Sequence, residues 1–367
     1  MSGAGVSLGD MTHAPHGIIP PYLLARLAAA QEPALARASA AAQATLATDR
    51  KIRPQRSRVR LSIVEPGTLV VESVPAADRT ISDAQNTEKL PGTTVRREDD
   101  PPTGDAAVDQ AFDGLGQTHD FYSDAYGRDG IDGAGAPLLA TVHYGRDYDN
   151  AFWNGERMVF GDGDGDVFIG FTSSLTVIAH ELTHGITEHE GGLEYQGQPG
   201  ALNESLSDVF GALAEQYTRN ETAAEAGWLI GAGIFAPNVK GVALRSLKAP
   251  GTAYDDPVLG RDPQPAHMDG YVHTDDDNGG VHINSGIPNR AFYLVATALG
   301  GNAWERAGLV WYRTITGDLP PTADFAAFAR ATLAAAAAEY GEKSEVVDAV
   351  RAGWAGVGVV EDAFTER

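Results

Sequence analysis

The 367-residue chain contains no cysteine, so no disulfide can form and no thiolate can bind a metal or act as a nucleophile. Any metal site must draw on carboxylates and the ten histidines. Basic residues are scarce: 27 Lys+Arg stand against 50 Asp+Glu, a net charge of −23. A chain this acidic repels phosphate backbones, and nucleic acid is not expected as a partner. No apolar run approaches the ~18 residues of a membrane span, so no membrane association is expected. Met1–His16 lacks a basic patch followed by an apolar stretch, so a standard secretory signal is not expected either. The missing cysteine fits the cytosol, but it equally fits bacterial secreted enzymes. What is present suffices for a sizeable core: 43% of residues are apolar. The length exceeds one typical domain of roughly 100–200 residues, and two lobes are expected.

Residues 1–55 differ from the rest and are read as a separate segment with a linker. Small polar residues give way to Ile18-Ile19-Pro20-Pro21-Tyr22-Leu23-Leu24. Pro21 suits a first helical position, and Ala/Leu-rich sequence to residue 48 can continue that helix. A basic run from Arg50 to Arg60, interrupted by Pro54, reads as an exposed and cleavable linker. Residues 61–105 are strand-like, and Pro66-Gly67 places a hairpin between Leu61–Val64 and Thr68–Val74. The spacing of Val108, Phe112, Leu115, Phe121 and Tyr122 predicts a helix over 106–126. Pro137–Tyr144 reads as a short buried strand, Asn150–Phe160 as an edge strand and Gly161–Asp166 as a loop. From residue 173 the pattern turns helical, over 174–190, 201–218, 285–299, 303–316, 323–340 and 344–355. The expected fold class is α+β in two lobes, β-rich over 56–192 and helical over 193–367.

The sharpest chemical feature is His180-Glu181-Leu182-Thr183-His184. Histidines at i and i+4 share a helix face and can reach one Zn2+, with a carboxylate beside them. Ser173 or Ser174 is placed to cap this helix. A catalytic zinc needs a third protein ligand and an open position. Glu204, on the next predicted helix, supplies one. Asp208, one turn further, can accept the second N–H of a ligand histidine and fix its tautomer. His282 follows Gly279-Gly280, and Asp277 is placed to orient it. Taken singly, these features also fit surface histidines, a solvated helix face and a loop histidine in a turn.

Together the three blocks resemble the thermolysin family of zinc metalloproteases. That family shares the His-Glu-x-x-His, Asn-Glu-x-x-x-Asp and Gly-Gly-x-His-x-Asn-Ser-Gly patterns, here at 180–184, 203–208 and 279–286. Asn150-Ala151-Phe152-Trp153-Asn154-Gly155, Gly161–Gly165, Tyr195 and Arg245-Ser246 follow the same pattern. The short block His16…Pro20-Pro21-Tyr22-Leu23-Leu24 is similar to the prosegment of the protealysin-like subgroup.

The resemblance implies a neutral endopeptidase made as a latent precursor, with its own prosegment as intramolecular inhibitor and polypeptides as substrates. It implies zinc on His180, His184 and Glu204, and Glu181 as general base. Tyr195 and protonated His282 would donate to the oxyanion, with Asp277 and Asp208 steadying His282 and His180. Asn150, Ala151 and Trp153 would hold the substrate strand on an exposed edge, and Arg245 would bind the carbonyl beyond the scissile bond. Phe168, Val177, Ile230 and Leu244 match positions lining an apolar pocket, which implies cleavage before Leu, Phe, Ile or Val. Singly, these four read equally as ordinary core. Calcium is possible, but the family's paired calcium site is degraded: Thr176 stands where an Asp is usual, and Glu215 alone remains of the acidic cluster. Gly161–Asp166 looks like a calcium loop only superficially. A monomer is expected, secreted by family resemblance, with the cytoplasm as second choice. The rival readings are a silent zinc-stabilised binding protein, which would be expected to lose Glu181 or His282, and an exopeptidase, which needs a free-amine recognition group that is not evident.

Overall fold

A computed structural model of the chain describes residues 16–52 and 77–359. The expected hairpin over 61–74 and the basic run from Arg53 onward lie outside the described residues. The N-terminal segment comprises β1 (His16–Gly17), α1 (Pro21–Ala28) and α2 (Ala36–Asp49). Next come β2 (Arg79–Thr87), β3 (Thr93–Arg97), α3 (Ala106–Tyr126), β4 (Leu138–Tyr144), β5 (Ala151–Trp153) and β6 (Met158–Phe160). Two long helices follow, α4 (Leu175–His189) and α5 (Gly197–Arg219), then a short pair, β7 (Leu229–Ile230) and β8 (Arg245–Ser246). Another pair, β9 (Asp255–Asp256) and β10 (Gly260–Arg261), precedes α6 (Asp277–Asn284), α7 (Gly286–Leu299), α8 (Ala307–Ile315), α9 (Phe325–Tyr340) and α10 (Glu345–Ala355).

β4 explains the sheet. Leu138, Ala140, Thr141, Val142 and Tyr144 are all buried, a near-continuous run that fits a strand covered on both faces. It lies at the centre, parallel to β2 and to β6. The full order is β1-β5-β6-β4-β2-β3. The expected edge strand over 150–160 is therefore two short antiparallel strands, β5 and β6, joined by a turn in which Asn154 Oδ1 accepts from the Glu156 and Arg157 amides. Its edge is also not open. β1 pairs antiparallel with β5, Gly17 opposite Phe152 and His16 opposite Trp153.

The N-terminal segment is docked on the rest of the chain. Its helix starts at Pro21, but it does not run on to residue 48. Pro33 has no N–H to continue the ladder, so the chain breaks and restarts as α2. The Ser39 hydroxyl donates to the freed Ala28 carbonyl at 2.8 Å, so α2 closes the end of α1. Arg26 donates to the Leu259 carbonyl at 3.0 Å, and Arg37 pairs with Asp147 at 2.7 Å. Thr45 Oγ1 accepts from the Asp149 amide at 3.0 Å. Asp49 accepts from the Tyr148 hydroxyl at 2.5 Å and from Asn150 Nδ2 at 3.2 Å.

α4 and α5 form the spine beneath the cleft. α5 begins at Gly197, earlier than residue 201; it follows an extended Gln196, and Gly197 itself has a left-handed φ of 57°. α4 is not capped by a serine side chain as expected: the Ser174 hydroxyl bonds to Thr176 Oγ1 at 2.9 Å instead. The two helices touch at Gly211, where an added Cβ would sit 2.7 Å from the Thr176 carbonyl oxygen. A Gly211→Val variant should force the helices apart and lower stability by about 1–3 kcal/mol. Thermal unfolding should show this, together with weaker zinc retention against a chelator, because the metal ligands lie on both helices.

Candidate metal centre and cleft

His180 and His184 lie one turn apart on the buried face of α4, both essentially inaccessible. Their outer nitrogens are engaged. His180 Nδ1 donates to Asp208 Oδ1 at 2.9 Å, and His184 Nδ1 donates to Asn203 Oδ1 at 2.8 Å. With the protons on Nδ1, each Nε2 presents a lone pair, and the two face one another at 3.0 Å. Glu204 on α5 adds a carboxylate 3.5 Å from each Nε2. Its Oε2 is buried and without a hydrogen-bond partner.

Converging lone pairs and an anionic oxygen repel unless a cation lies between them. The three ligand atoms lie within 4.8 Å of one another. A tetrahedral ion with ligand bonds of ~2.0–2.1 Å sets ligand atoms about 3.3 Å apart, close to what is seen. The donor set therefore fits zinc. No other group of three or more His, Asp or Glu side chains among the described residues is arranged to hold a metal.

Asp208 organises the surroundings. It accepts from His180, from Arg245 Nε and Nη2 at 2.8 Å each, and from Asn289 Nδ2 at 2.9 Å. Burial would push its carboxyl up, but the Arg245 guanidinium and the His180 bond outweigh this and hold it far below the usual range. The bidentate Arg245–Asp208 pair and Asn289 were not anticipated from sequence. Asn203 had a signal, its place beside Glu204 in the Asn-Glu-x-x-x-Asp block, but no role.

Glu181 is fully buried, and neither carboxylate oxygen has a hydrogen-bond partner. Burial first, then the Glu204 charge, push its carboxyl well above the usual range, opposed by the nearby Trp153 and Ile18 backbone amides. Across the cleft, α6 opens with four residues at left-handed φ, Asp277, Asn278, Gly279 and Gly280 (53°, 51°, 82° and 75°). This turn lets Asp277 face back on His282. Its Oδ1 accepts from Nδ1 at 2.6 Å, and its Oδ2 accepts from the His282 amide at 2.9 Å. Asp277 is thus buried. Burial disfavours charge on His282, but Glu204 and Asp277 outweigh it and raise the imidazole to about 9. The Tyr195 hydroxyl donates to Glu204 Oε1 and lies 3.4 Å from His282 Nε2.

The expected strand-holding groups are in place but occupied. Ala151 O accepts from the Ile18 amide at 3.0 Å, and Asn150 Oδ1 accepts from the Ile19 amide at 2.9 Å. Trp153 is anchored to α4 by a 2.8 Å bond from Nε1 to Glu188. Arg245 Nη1 donates to the Ile18 carbonyl at 3.0 Å. Phe168, Val177, Ile230 and Leu244 are buried and share one continuous apolar cluster with Ile18. Ile230 and Leu244 are tied by a 2.9 Å backbone bond. At the positions where the calcium site was expected to be degraded, Thr176 Oγ1 accepts from the Gly231 amide at 2.9 Å, and Glu215 pairs with Arg219 at 2.9 Å. The Gly161–Asp166 loop is held by Asp164, which accepts from the Asp166 and Val167 amides at 2.6 Å each.

Residues 66–188 match the family model described as "Thermolysin metallopeptidase, catalytic domain", and residues 191–359 match "Thermolysin metallopeptidase, alpha-helical domain". The chain belongs to the thermolysin metallopeptidase family. It is a metalloendopeptidase with zinc as its cofactor. Within this family it is similar to an "Extracellular metalloprotease" of Pectobacterium carotovorum, 56% identical over 78% of this chain and 83% of that one. It is also 52% identical to "Protease PrtS" of Photorhabdus sp., over 70% of each chain. A solved structure, the precursor of protealysin from Serratia proteamaculans, superposes with a TM-score of 0.84 at 49% identity, covering 94% of this chain and 99% of that one. The thermolysin-like two-lobed fold and the protealysin-like character are thereby established. An Asp208→Ala variant of this thermolysin-family chain strands the Arg245 charge and frees the His180 ring. It should lose about 3–5 kcal/mol of stability by denaturant unfolding and ~10–100-fold in zinc affinity by chelator competition.

Proposed function

We propose that the chain is the latent precursor of a zinc endopeptidase that cuts on the N-terminal side of bulky apolar residues. The observation that carries this reading is the strand β1 and Ile18 lying along β5, within the same groups that would hold a substrate. An extended chain added antiparallel to an edge strand is a general mode of peptide binding, in which backbone bonds give affinity and pockets give specificity. Asn150 and Ala151 supply the backbone bonds, Trp153 supports the strand, and Arg245 holds the carbonyl beyond the scissile bond. Phe168, Val177, Ile230 and Leu244 form the apolar wall that selects the residue after the cut.

His180, His184 and Glu204 hold the metal, which when bound supplies Lewis-acid activation of the attacking water. Glu181, unpartnered and buried, takes the proton of that water and delivers it to the leaving amine. His282, kept protonated by Asp277, and Tyr195 donate hydrogen bonds where negative charge develops on the carbonyl oxygen. Asp208 keeps His180 and Arg245 in position. Glu181 and His282 are both present and aimed at one space, which counts against a silent binding protein. The names of relatives such as the "Extracellular metalloprotease" and an "Extracellular minor metalloprotease" of Serratia marcescens support export.

Cleavage in the basic linker near residues 50–60 should raise casein hydrolysis above that of the full chain. Equal activity before and after this processing would end the latency reading. Glu181→Gln should keep its zinc and lose about 100–10,000-fold in kcat on a peptide with an internal Leu. Full, chelator-insensitive activity in that variant would remove the endopeptidase reading.

Docking of the prosegment should also depend on pH through Asp49. Burial raises its carboxyl to about 6 despite the Tyr148 and Asn150 bonds, whereas a released segment titrates at about 3.9. The docked form binds the proton more tightly, so docking is strongest below pH ~4 and weakens by about a hundredfold as pH rises through 6. Hydrogen exchange over Ala36–Asp49, corrected for intrinsic rates, should show greater protection at pH 4.5 than at pH 7.5. The reverse order would contradict the assignment.

A further inference from the structure

Four hydrogen bonds fix how residues 17–19 cross the cleft. The Ile18 amide donates to Ala151 O at 3.0 Å, and the Ile19 amide donates to Asn150 Oδ1 at 2.9 Å. Arg245 Nη1 donates to the Ile18 carbonyl at 3.0 Å, and His282 Nε2 donates to the Gly17 carbonyl at 3.0 Å. A single peptide bond lies between the last of these carbonyls and the first of these amides. Its oxygen faces the His282 donor. Its nitrogen belongs to the residue whose amide lies near Glu181. The Ile18 side chain is wholly buried in the cluster that contains Val177, Ile230 and Leu244. Gly17 is the residue that admits this approach: a Cβ there would meet Asn150 Nδ2 at 2.4 Å. Asn150 cannot easily yield, because its side chain also bonds Asp49, Ile19 and Ala151.

We infer that the Gly17–Ile18 bond is itself a processing site, hydrolysed by the chain's own catalytic groups while α1 and α2 remain docked. The inference rests on the assignment of Glu181 and His282 as the catalytic pair. In this step a water O–H bond breaks and the water oxygen adds to the Gly17 carbonyl carbon. The Gly17–Ile18 C–N bond then breaks, the proton taken by Glu181 passes to the Ile18 nitrogen, and the second water proton, shed by the new Gly17 carboxyl, completes the ammonium. The products are a Gly17 carboxylate and an Ile18 ammonium, which lies beside the Glu181 carboxylate. The shortened segment is still held by Arg26, Arg37, Thr45 and Asp49, so the nicked precursor keeps the cleft filled.

The test uses the full chain, prepared with chelator and then given zinc, followed by intact-mass and N-terminal analysis. The expected result is loss of residues 1–17 and a new N-terminus at Ile18, ahead of cleavage in the linker. The rate should not change over about a tenfold range of protein concentration, because the bond is delivered intramolecularly. Glu181→Gln should abolish the cut, and Ile18→Asp should slow it by at least about tenfold by removing the apolar side chain from its pocket. Without zinc, the Ile18→Asp chain should be cut faster by trypsin after Arg26 and Arg37, a readout of docking that needs no catalysis. If the linker-processed chain hydrolyses casein but Gly17–Ile18 stays intact throughout, the processing site is overturned and the endopeptidase reading stands. If neither casein nor this bond is cut, both fail. Unchanged trypsin sensitivity in Ile18→Asp would remove the proposed seat of Ile18.

Discussion

Two imidazole nitrogens held 3.0 Å apart beside a buried carboxylate are the constraint on which the rest of this structure depends. Such an arrangement is unfavourable unless a cation sits among the donors. The surrounding residues exist to impose it. Asp208 and Asn203 take the outer N–H groups of His180 and His184, which turns both inner lone pairs toward Glu204. Asp208 in turn is stabilised by Arg245 and Asn289, and its position depends on α4 and α5 meeting closely at Gly211. The metal centre is therefore as much a property of helix packing as of the three ligands.

The same polar groups serve two ends. Arg245 braces Asp208 with two of its donors and holds the Ile18 carbonyl with a third. Asn150 accepts from Ile19 and donates to Asp49, tying the occupied cleft to the helix that fills the adjacent surface. Occupation of the cleft and docking of α2 are thus physically coupled through one amide side chain. A buried carboxylate at that junction makes the coupling sensitive to proton concentration, because charge at Asp49 must be accommodated away from water.

The long helices were legible because apolar spacing at 3.6 residues survives in the linear chain. Those over 106–126 and 174–190 are found within a residue or so of their expected bounds, the usual uncertainty of helix ends. The errors have identifiable physical causes. Pro33 interrupts what composition alone reads as one Ala-rich helix. The exposed edge expected at 150–160 is covered by a strand from more than a hundred residues earlier, and no local pattern announces that pairing. The Ser174 hydroxyl has a side-chain partner, Thr176, that competes successfully with the capping role. Asn289 gave no signal, since a single asparagine in a helix is chemically ordinary until Asp208 is placed against it.

What the amino-acid order determined alone is the face shared by His180 and His184, since four residues on a helix bring side chains together whatever the rest does. It also determined that the site must be built from imidazole and carboxylate, because no thiol is available. Tertiary structure decided everything that needs two distant segments in register: Glu204 against the histidines, Asp277 folded back on His282, Arg245 on Asp208, and Gly17–Ile18 laid across the cleft. Those contacts are set by helix crossing and strand pairing over tens to hundreds of residues. Their geometry arises from packing of the whole core, not from any neighbouring sequence.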